Sequence, residues 1–245
     1  MLRPGRLDAW RRKQSNVGNH PVTRITRRRT LTEDELRWEI TFPQLEEAGG
    51  WEEIFGRSGD LYLEVGLGKD PHILDQARNS PENLFVGIEY SRKKLEKVLF
   101  KISAAGGQDN LRILHADAFR SVDPAFEDQS LAGAFILFPD PWPKARHARR
   151  RLLQDNFLSL LTRKLRPTAR LEIRTDDVDY AREASEVLDS IEGLSRITGK
   201  DPFLEQPIEP AHHLATLFEK KFTLLGKKIH YFYLEKTVAK DVGST

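Results

Sequence analysis

The chain has 245 residues, a length that fits one large α/β domain with appendages about as well as two small domains, and we treat it as one. With 39% hydrophobic and 31% charged residues, its composition is ordinary for a soluble globular protein. No apolar run approaches the roughly 20 residues that span a bilayer, so we expect no membrane segment. The chain contains no cysteine, which excludes disulfides, thiolate nucleophiles and cysteine-ligated metals and fits a cytoplasmic protein.

The net charge of +2 is unevenly distributed along the chain. Residues 1–30 carry nine Lys and Arg side chains against one acid, Asp8, a net charge of +8 that leaves −6 on residues 31–245. A strongly basic segment attached to a mildly acidic domain is typical of a segment that binds the phosphates of a nucleic acid. A disordered solubilising tail explains the same charge equally well.

Short apolar runs alternate with helical patterns from residue 60 onward, which predicts an α/β fold with a parallel sheet covered by helices. The predicted strands are Asp60–Gly66, Leu84–Glu89, Leu111–His115, Ala132–Phe138, Ala169–Thr175 and Ile229–Lys236. The predicted helices are Pro71–Asn79, Ser91–Ala105, Arg151–Leu165 and Val178–Ile191. The expected organisation is a basic arm at 1–30, an extension at 31–59, the main domain at 60–236 and a tail at 237–245. Within the extension, Leu36–Leu45 fits either a strand or a helix.

Polar residues follow the predicted strands, at the edge where open α/β sheets bind ligands. Gly66 and Gly68 let a ligand approach the backbone closely. About 20 residues later, Glu89 can accept hydrogen bonds from both hydroxyls of a ribose. Asp117 follows the third strand and can face an adenine edge, or can be a simple turn residue. This pattern favours an adenosine-containing cofactor, although an ordinary strand–helix turn or a dinucleotide site shares the glycines.

The most specific segment is Phe138–Lys144, in which three prolines surround Asp140 and Trp142. Prolines make such a loop rigid, and rigidity at a sheet edge serves orientation. Five Lys and Arg side chains follow within Lys144–Arg151. A cationic patch beside a carboxylate and an aromatic plane favours a stacked, hydrogen-bonded nucleobase whose phosphates are neutralised nearby. The alternative is a solvated start of a helix.

With these segments, the sequence resembles the bacterial tRNA (guanine-N7-)-methyltransferase family over roughly residues 60–236. The resemblance is carried by LEVGLGK, VGIE, ADA, FPDPWPKARHARRRLLQDNFL, RTDD and TLFEKKFTLLGKKIHY. It implies a Rossmann-like class I methyltransferase with a doubly wound, mostly parallel, seven-stranded sheet that ends in an antiparallel hairpin. It also implies methyl transfer from S-adenosyl-L-methionine to N7 of a guanosine in the tRNA variable loop. The chain departs from the family at Asp70-Pro71, where members commonly carry a third glycine.

The resemblance implies roles for individual residues as well. The S-adenosylmethionine site would contain the glycine turn and four acidic residues: Gly66, Gly68, Glu64, Glu89, Asp117 and Asp140. Asp140 would also be the catalytic residue. Contacts to the RNA substrate would come from Lys144, Asp176, Thr216 and Glu219.

Two other functions share parts of this pattern. A nicotinamide-dependent oxidoreductase would use the glycine turn and Glu89 but has no use for the basic cluster after Trp142. A non-catalytic RNA-binding module would keep the basic segments without needing acids at successive strand ends. The seven histidines show no helical pair backed by acids at metal-ligand spacing, so no metal is expected. Both a monomer and a homodimer fit the sequence.

Overall fold

The computed structural model describes residues 30–68, 72–211 and 213–238. The predicted basic arm, apart from Thr30, lies outside the described residues. The departure at Asp70-Pro71 and most of the predicted C-terminal tail also lie outside them. No helix within the described ranges is long and apolar enough to cross a membrane.

In the part of the chain that the structure describes, eight strands form one sheet. They are β1 (Glu39–Ile40), β2 (Leu61–Val65), β3 (Leu84–Glu89), β4 (Leu111–His115), β5 (Leu131–Leu137), β6 (Leu165–Thr175), β7 (Leu194–Arg196) and β8 (His230–Lys236). Their order is β1-β4-β3-β2-β5-β6-β8-β7. The pairs among β1 to β6 are parallel, whereas β8 pairs antiparallel with both β6 and β7. This confirms the predicted α/β class and its antiparallel last strands.

The sheet has one strand more than the seven expected, because the N-terminal extension adds β1 at the edge of β4. The carbonyl of Trp38 accepts a hydrogen bond from Ile113 N at 2.7 Å. The Trp38 indole is buried and donates to the carbonyl of Gln108 at 3.0 Å. The extension thus covers an open strand edge, which otherwise exposes unpaired backbone groups. The segment read as strand or helix contains both, since the short strand Glu39–Ile40 is followed at once by a helix.

Helices connect the strands and cover both faces of the sheet. They are α1 (Glu33–Leu36), α2 (Phe42–Ala48), α3 (Trp51–Phe55), α4 (His72–Asn79), α5 (Arg92–Ala104), α6 (Ala118–Ala125), α7 (Asp155–Lys164), α8 (Val178–Ser190) and α9 (Leu217–Leu224). One apolar cluster joins α4 and α5 to the sheet, and a larger one joins α2, α3, α6, α7 and α8 to it. This two-sided cover is the doubly wound arrangement that was expected.

One predicted helix starts later than its sequence pattern indicated. The pattern placed a helix over Arg151–Leu165, but α7 begins at Asp155. Ala145–Arg150 form a 3-10 helix, and the chain is extended at Arg151, with φ −63° and ψ 142°. Helical backbone therefore breaks at Arg151, which lets the chain turn before α7.

Gly87 in β3 allows the turn after β2 to close onto the sheet. A Cβ atom at this position would lie 2.8 Å from both terminal methyl carbons of Leu67 and 3.1 Å from the Ile113 Cδ1 atom. Leu67 lies between Gly66 and Gly68 and is only 2% exposed. The missing side chain at residue 87 therefore provides the space that Leu67 fills.

The variant Gly87→Val is expected to lower the free energy of unfolding by about 1–3 kcal/mol, the usual cost of adding methyl groups to a filled core. Equilibrium urea unfolding followed by circular dichroism measures this change. Gly87→Ala adds a single methyl group and should cost less, so it serves as a graded control. Equal stability of all three proteins would mean that Leu67 moves aside freely.

Candidate active site

A cleft of about 700 Å³ lies at the carboxyl ends of the central strands, a size typical of small-molecule sites. Its lining comes from the segments that follow β2, β3, β4, β5 and β6, and it includes Glu64, Gly66, Gly68, Glu89, Asp117, Asp140 and Asp176. Parallel pairing brings these strand ends to one edge, so residues far apart in sequence meet there. Within the described ranges, no group of three His, Asp or Glu side chains is arranged to hold a metal ion.

The Glu89 carboxylate joins the glycine turn to the segment after β3. Its Oε2 atom accepts a hydrogen bond from Gly68 N at 2.9 Å, and its Oε1 atom accepts one from Ser91 N at 2.7 Å. Gly66 and Gly68 have φ angles of 81° and 61°, in the left-handed region that favours glycine. Each carboxylate oxygen has a further lone pair, so Glu89 can still accept from the hydroxyls of a ribose.

Glu64 is buried at the end of β2, next to a histidine that the sequence analysis did not single out. Its Oε2 atom lies 3.0 Å from His72 Nδ1, and both side chains are 2% exposed. The edge of the His72 ring packs against the ring of Phe135. His72 begins α4, the helix that follows the glycine turn, and this position explains why it faces back toward β2. Both residues line the cleft.

Asp117 has a buried carboxylate oxygen that accepts no hydrogen bond from any described residue. Its Oδ1 atom is inaccessible to solvent and has no hydrogen-bond partner within the described ranges. The residue precedes α6, yet its side chain makes no capping hydrogen bond to that helix. Leaving a buried acceptor unpaired is costly, so the atom suits a donor on a bound molecule, such as an exocyclic amino group.

The proline-rich segment after β5 is strained at two positions. Phe138 and Trp142 have φ angles of 52° and 44°, which side chains other than glycine rarely adopt. Asp140, between them, is exposed and lines the cleft. The guanidinium of Arg150 lies 5.1 Å from the Trp142 ring centroid, and the His147 ring meets the indole edge-on at 5.5 Å. A cationic side chain of the basic cluster therefore lies beside the aromatic plane, as the sequence pattern suggested.

The four residues expected to contact RNA are not equivalent in the structure. Asp176 and Thr216 line the cleft, and Asp176 forms an ion pair with Lys227. Lys144 is exposed and Glu219 is buried, and neither lines the cleft. Asp176 and Thr216 are therefore the two that border the cleft.

Glu219 holds α9 against the sheet. Its carboxylate accepts hydrogen bonds from Arg174 at 2.9 Å, His213 at 2.6 Å and Tyr231 at 2.7 Å. Its backbone N–H donates to the Thr216 hydroxyl, which caps α9. Burial alone would raise the pKa of Glu219, but the hydrogen bonds from His213 and Tyr231 and the charge of Arg174 lower it to about 2. The carboxylate is thus ionised at neutral pH and acts as an internal anchor.

Comparison with known proteins identifies the family of the chain. A family model described as "Putative methyltransferase" matches residues 58–232. Relatives from Shewanella amazonensis and Nitrosomonas europaea are 33% and 36% identical, over 78% and 80% of this chain and 78% and 84% of their own. A relative from Nitrosococcus oceani is 39% identical over 63% of this chain and 65% of its own length. All three are named tRNA (guanine-N(7)-)-methyltransferase.

The chain belongs to the tRNA (guanine-N7-)-methyltransferase family. Solved structures agree with its fold. The 16S rRNA methyltransferase KamB aligns with a TM-score of 0.57 at 17% identity, over 80% of this chain and 94% of that one. A 16S rRNA adenine methyltransferase from Catenulisporales acidiphilia aligns with a TM-score of 0.52 at 18% identity, over 78% and 92% of the two chains. At these identities the similarity establishes the class I methyltransferase fold alone.

Replacing the anchor in Glu219→Gln should lower the melting temperature at neutral pH, because buried Arg174 loses a charged partner. The lowered pKa of Glu219 contributes stability above its ordinary value of 4.5, and this contribution is lost as the pH falls toward about 2. Calorimetry of both proteins from pH 7 down to 2 should therefore show that the difference between their melting temperatures becomes smaller as the pH falls from 4.5 toward about 2. Glu209→Gln, which alters an exposed carboxylate paired with Arg170, is the control. Its melting temperature should stay close to that of the parent protein at every pH. A difference in melting temperature between Glu219→Gln and the parent protein that does not change with pH would contradict the assigned pKa.

Proposed function

We propose that this chain transfers a methyl group from S-adenosyl-L-methionine to N7 of a guanosine in the variable loop of tRNA, in the cytoplasm. The observation that carries the proposal is the meeting, in one cleft, of three acids suited to different tasks. Glu89 suits a ribose, the unpaired Asp117 oxygen suits an amino group, and Asp140 lies in the proline-rich loop beside the basic cluster. Residues 60–236 would form the methyltransferase domain.

The residues of the buried half of the cleft fit S-adenosylmethionine. Glu89 would accept from the ribose hydroxyls, and Asp117 from the adenine amino group, which would satisfy its unpaired oxygen. The backbone of Gly66 and Gly68 would pass beneath the ligand, and the Glu64 carboxylate would offset its positive charge. When bound, the cofactor supplies an electrophilic methyl group on a sulfonium sulfur.

The exposed half of the cleft suits a guanine base. Guanine N7 has a lone pair in the ring plane and needs no base to remove a proton. Asp140 would accept from the N1 and exocyclic N–H groups, which orients N7 toward the methyl group. Such positioning is worth up to about 7–11 kcal/mol in well-aligned reactions. The same carboxylate would stabilise the positive charge that the ring acquires.

The remaining polar residues would act on the RNA at different distances from the base. Asp176, with Lys227, and the capped start of α9 at Thr216 border the cleft and would contact the target nucleotide. Lys144 is exposed and would meet a phosphate. Glu219 would act indirectly, because its carboxylate is used to hold α9 in place.

The proposal is tested by incubating bulk tRNA with the protein and methyl-labelled S-adenosylmethionine, followed by nucleoside analysis. Label is expected in 7-methylguanosine and should map to the variable loop. A tRNA transcript without guanosine in that loop is the matched control and should stay unlabelled. Label only in another nucleoside, or only in protein, would refute the assignment.

The two alternative functions are separated from this one by ligand binding. A nicotinamide-dependent oxidoreductase should be stabilised against heat by a nicotinamide dinucleotide and not by S-adenosylmethionine. A non-catalytic RNA-binding module should bind tRNA and respond to neither ligand. Stabilisation by S-adenosylmethionine alone favours the methyltransferase.

Two alanine variants should separate cofactor binding from catalysis. Asp140→Ala is expected to lower turnover far more than cofactor affinity, because an orienting group acts on the transition state. Glu89→Ala should chiefly weaken cofactor binding, because it removes a ribose acceptor and releases the Gly68 and Ser91 N–H groups. Calorimetric titration and single-turnover rates measure the two effects. Asp179→Ala, which removes an exposed acid outside the cleft, is the control. If Asp140→Ala chiefly weakened cofactor binding and Glu89→Ala chiefly lowered turnover, the two roles would be exchanged.

A further inference from the structure

Arg151 differs from the other arginines of the basic cluster because its side chain is turned into the protein. Its side chain is 16% exposed, whereas Arg149 and Arg150 are exposed. The Nε atom donates to the carbonyl of Pro141 at 2.8 Å, and Nη2 donates to the carbonyl of Trp142 at 3.2 Å. These two carbonyls follow Asp140 directly in the sequence. Arg151 thus holds the segment that carries the candidate catalytic carboxylate.

The opposite side of the same guanidinium is anchored on α8. The Nη1 atom forms an ion pair with Glu183, and the guanidinium carbon lies 5.6 Å from the ring centroid of Tyr180. Tyr180 is buried, and its hydroxyl accepts a hydrogen bond from Leu153 N at 3.1 Å. The carbonyl of Arg151 itself accepts from the Gln154 side chain. Arg151 therefore connects a fixed helix to the proline-rich loop.

The loop needs such support because its backbone is strained and short of donors. Trp142 has a φ angle of 44°, and a residue held in this region costs about 1–3 kcal/mol unless its surroundings enforce the conformation. Pro139, Pro141 and Pro143 have no N–H group, so they cannot donate a hydrogen bond to a neighbouring strand. A side chain that donates to two consecutive carbonyls replaces the missing backbone pairing.

We propose that Arg151 is a positioning residue for methyl transfer, which holds Asp140 and Trp142 in orientation instead of binding an RNA phosphate. The inference rests on the proposed function of the cleft. Three nitrogen atoms of the planar guanidinium are committed to three separate acceptors, Pro141, Trp142 and Glu183. A lysine ammonium keeps the charge but cannot present donors in this fork. The fork, and not the charge, is therefore the property that matters.

The test compares Arg151→Lys with Arg57→Lys, a matched change at an arginine that also donates to backbone carbonyls but does not line the cleft. The Arg57 guanidinium donates to the carbonyls of Pro81, Glu82 and Asn83. For Arg151→Lys we expect turnover at saturating tRNA and cofactor to fall by about ten- to one hundredfold, the effect of a misplaced reacting group. Cofactor affinity and the salt dependence of tRNA binding should match the parent protein. Arg57→Lys should keep full turnover.

The result that overturns the proposal is equally specific. If Arg151 binds a phosphate, Arg151→Lys keeps turnover, and Arg151→Gln weakens tRNA binding and reduces the slope of log affinity against log salt by about 0.7–0.9. A wild-type protein that fails to methylate any tRNA refutes the proposed function instead, before the variants are compared. The two failures are thus distinguishable.

A second variant keeps the test decisive if Arg151→Lys does not fold at the assay temperature. Glu183→Ala leaves both loop hydrogen bonds in place and removes the acceptor that anchors the third nitrogen atom of the guanidinium. Because this ion pair is partly exposed, we expect a loss of turnover of roughly two- to fivefold with unchanged cofactor affinity. Unchanged turnover in Glu183→Ala would then overturn the proposal.

Discussion

The two hydrogen bonds that the Glu89 carboxylate accepts from Gly68 and Ser91 are the contacts on which the rest of the cleft depends. They fix the turn after β2 relative to the segment that starts α5. A buried carboxylate is unfavourable without such donors, so its burial and the closed glycine turn require each other. Gly87 makes this possible, because any larger residue there would displace Leu67 from the turn.

The two halves of the cleft are held by different physical means. The half around Glu64, Glu89 and Asp117 is built on parallel strands and buried side chains, so its geometry follows from the sheet itself. The half around Asp140 lies on a strained loop that extends beyond the end of β5. Side-chain contacts, above all those of Arg151, support this loop. A small rigid cofactor and a large polyanionic substrate would benefit from this division.

Much of the fold could be predicted from the sequence where burial leaves a strong pattern. Leu84–Glu89 and Leu111–His115 were predicted to the residue, because strands covered on both faces are nearly continuous apolar runs. Several elements that were not predicted left too little periodicity to be recognised; among them, β1 has two residues, β7 has three, and α6 contains Pro124. The predicted start of α7 at Arg151 was wrong, because the helix begins at Asp155. The sequence alone does not show that the Arg151 side chain donates to the carbonyls of Pro141 and Trp142.

The candidate site was easier to locate from the sequence than to resolve into roles. Acids at strand ends point to one edge, so the sequence predicted that Glu64, Glu89, Asp117 and Asp140 would lie close together. The partners that decide what each carboxylate can do come from distant segments. Glu219 lies among the residues resembling an RNA-contact motif, yet Arg174 is 45 positions away and Tyr231 is 12 positions away.

The basic cluster contains both side chains that face the solvent and one that helps to build the site. A basic cluster read from the sequence suggests a surface for phosphates, and Arg146, Arg149 and Arg150 are exposed as that reading requires. Arg151 belongs to the same basic segment, but its side chain points inward, where it pairs with Glu183 and donates to two backbone carbonyls. Its positive charge is partly neutralised there, so it adds less to the surface potential than its neighbours do. On the proposed function, the attraction for RNA and the alignment of the loop would therefore be carried by different arginines within six residues of each other.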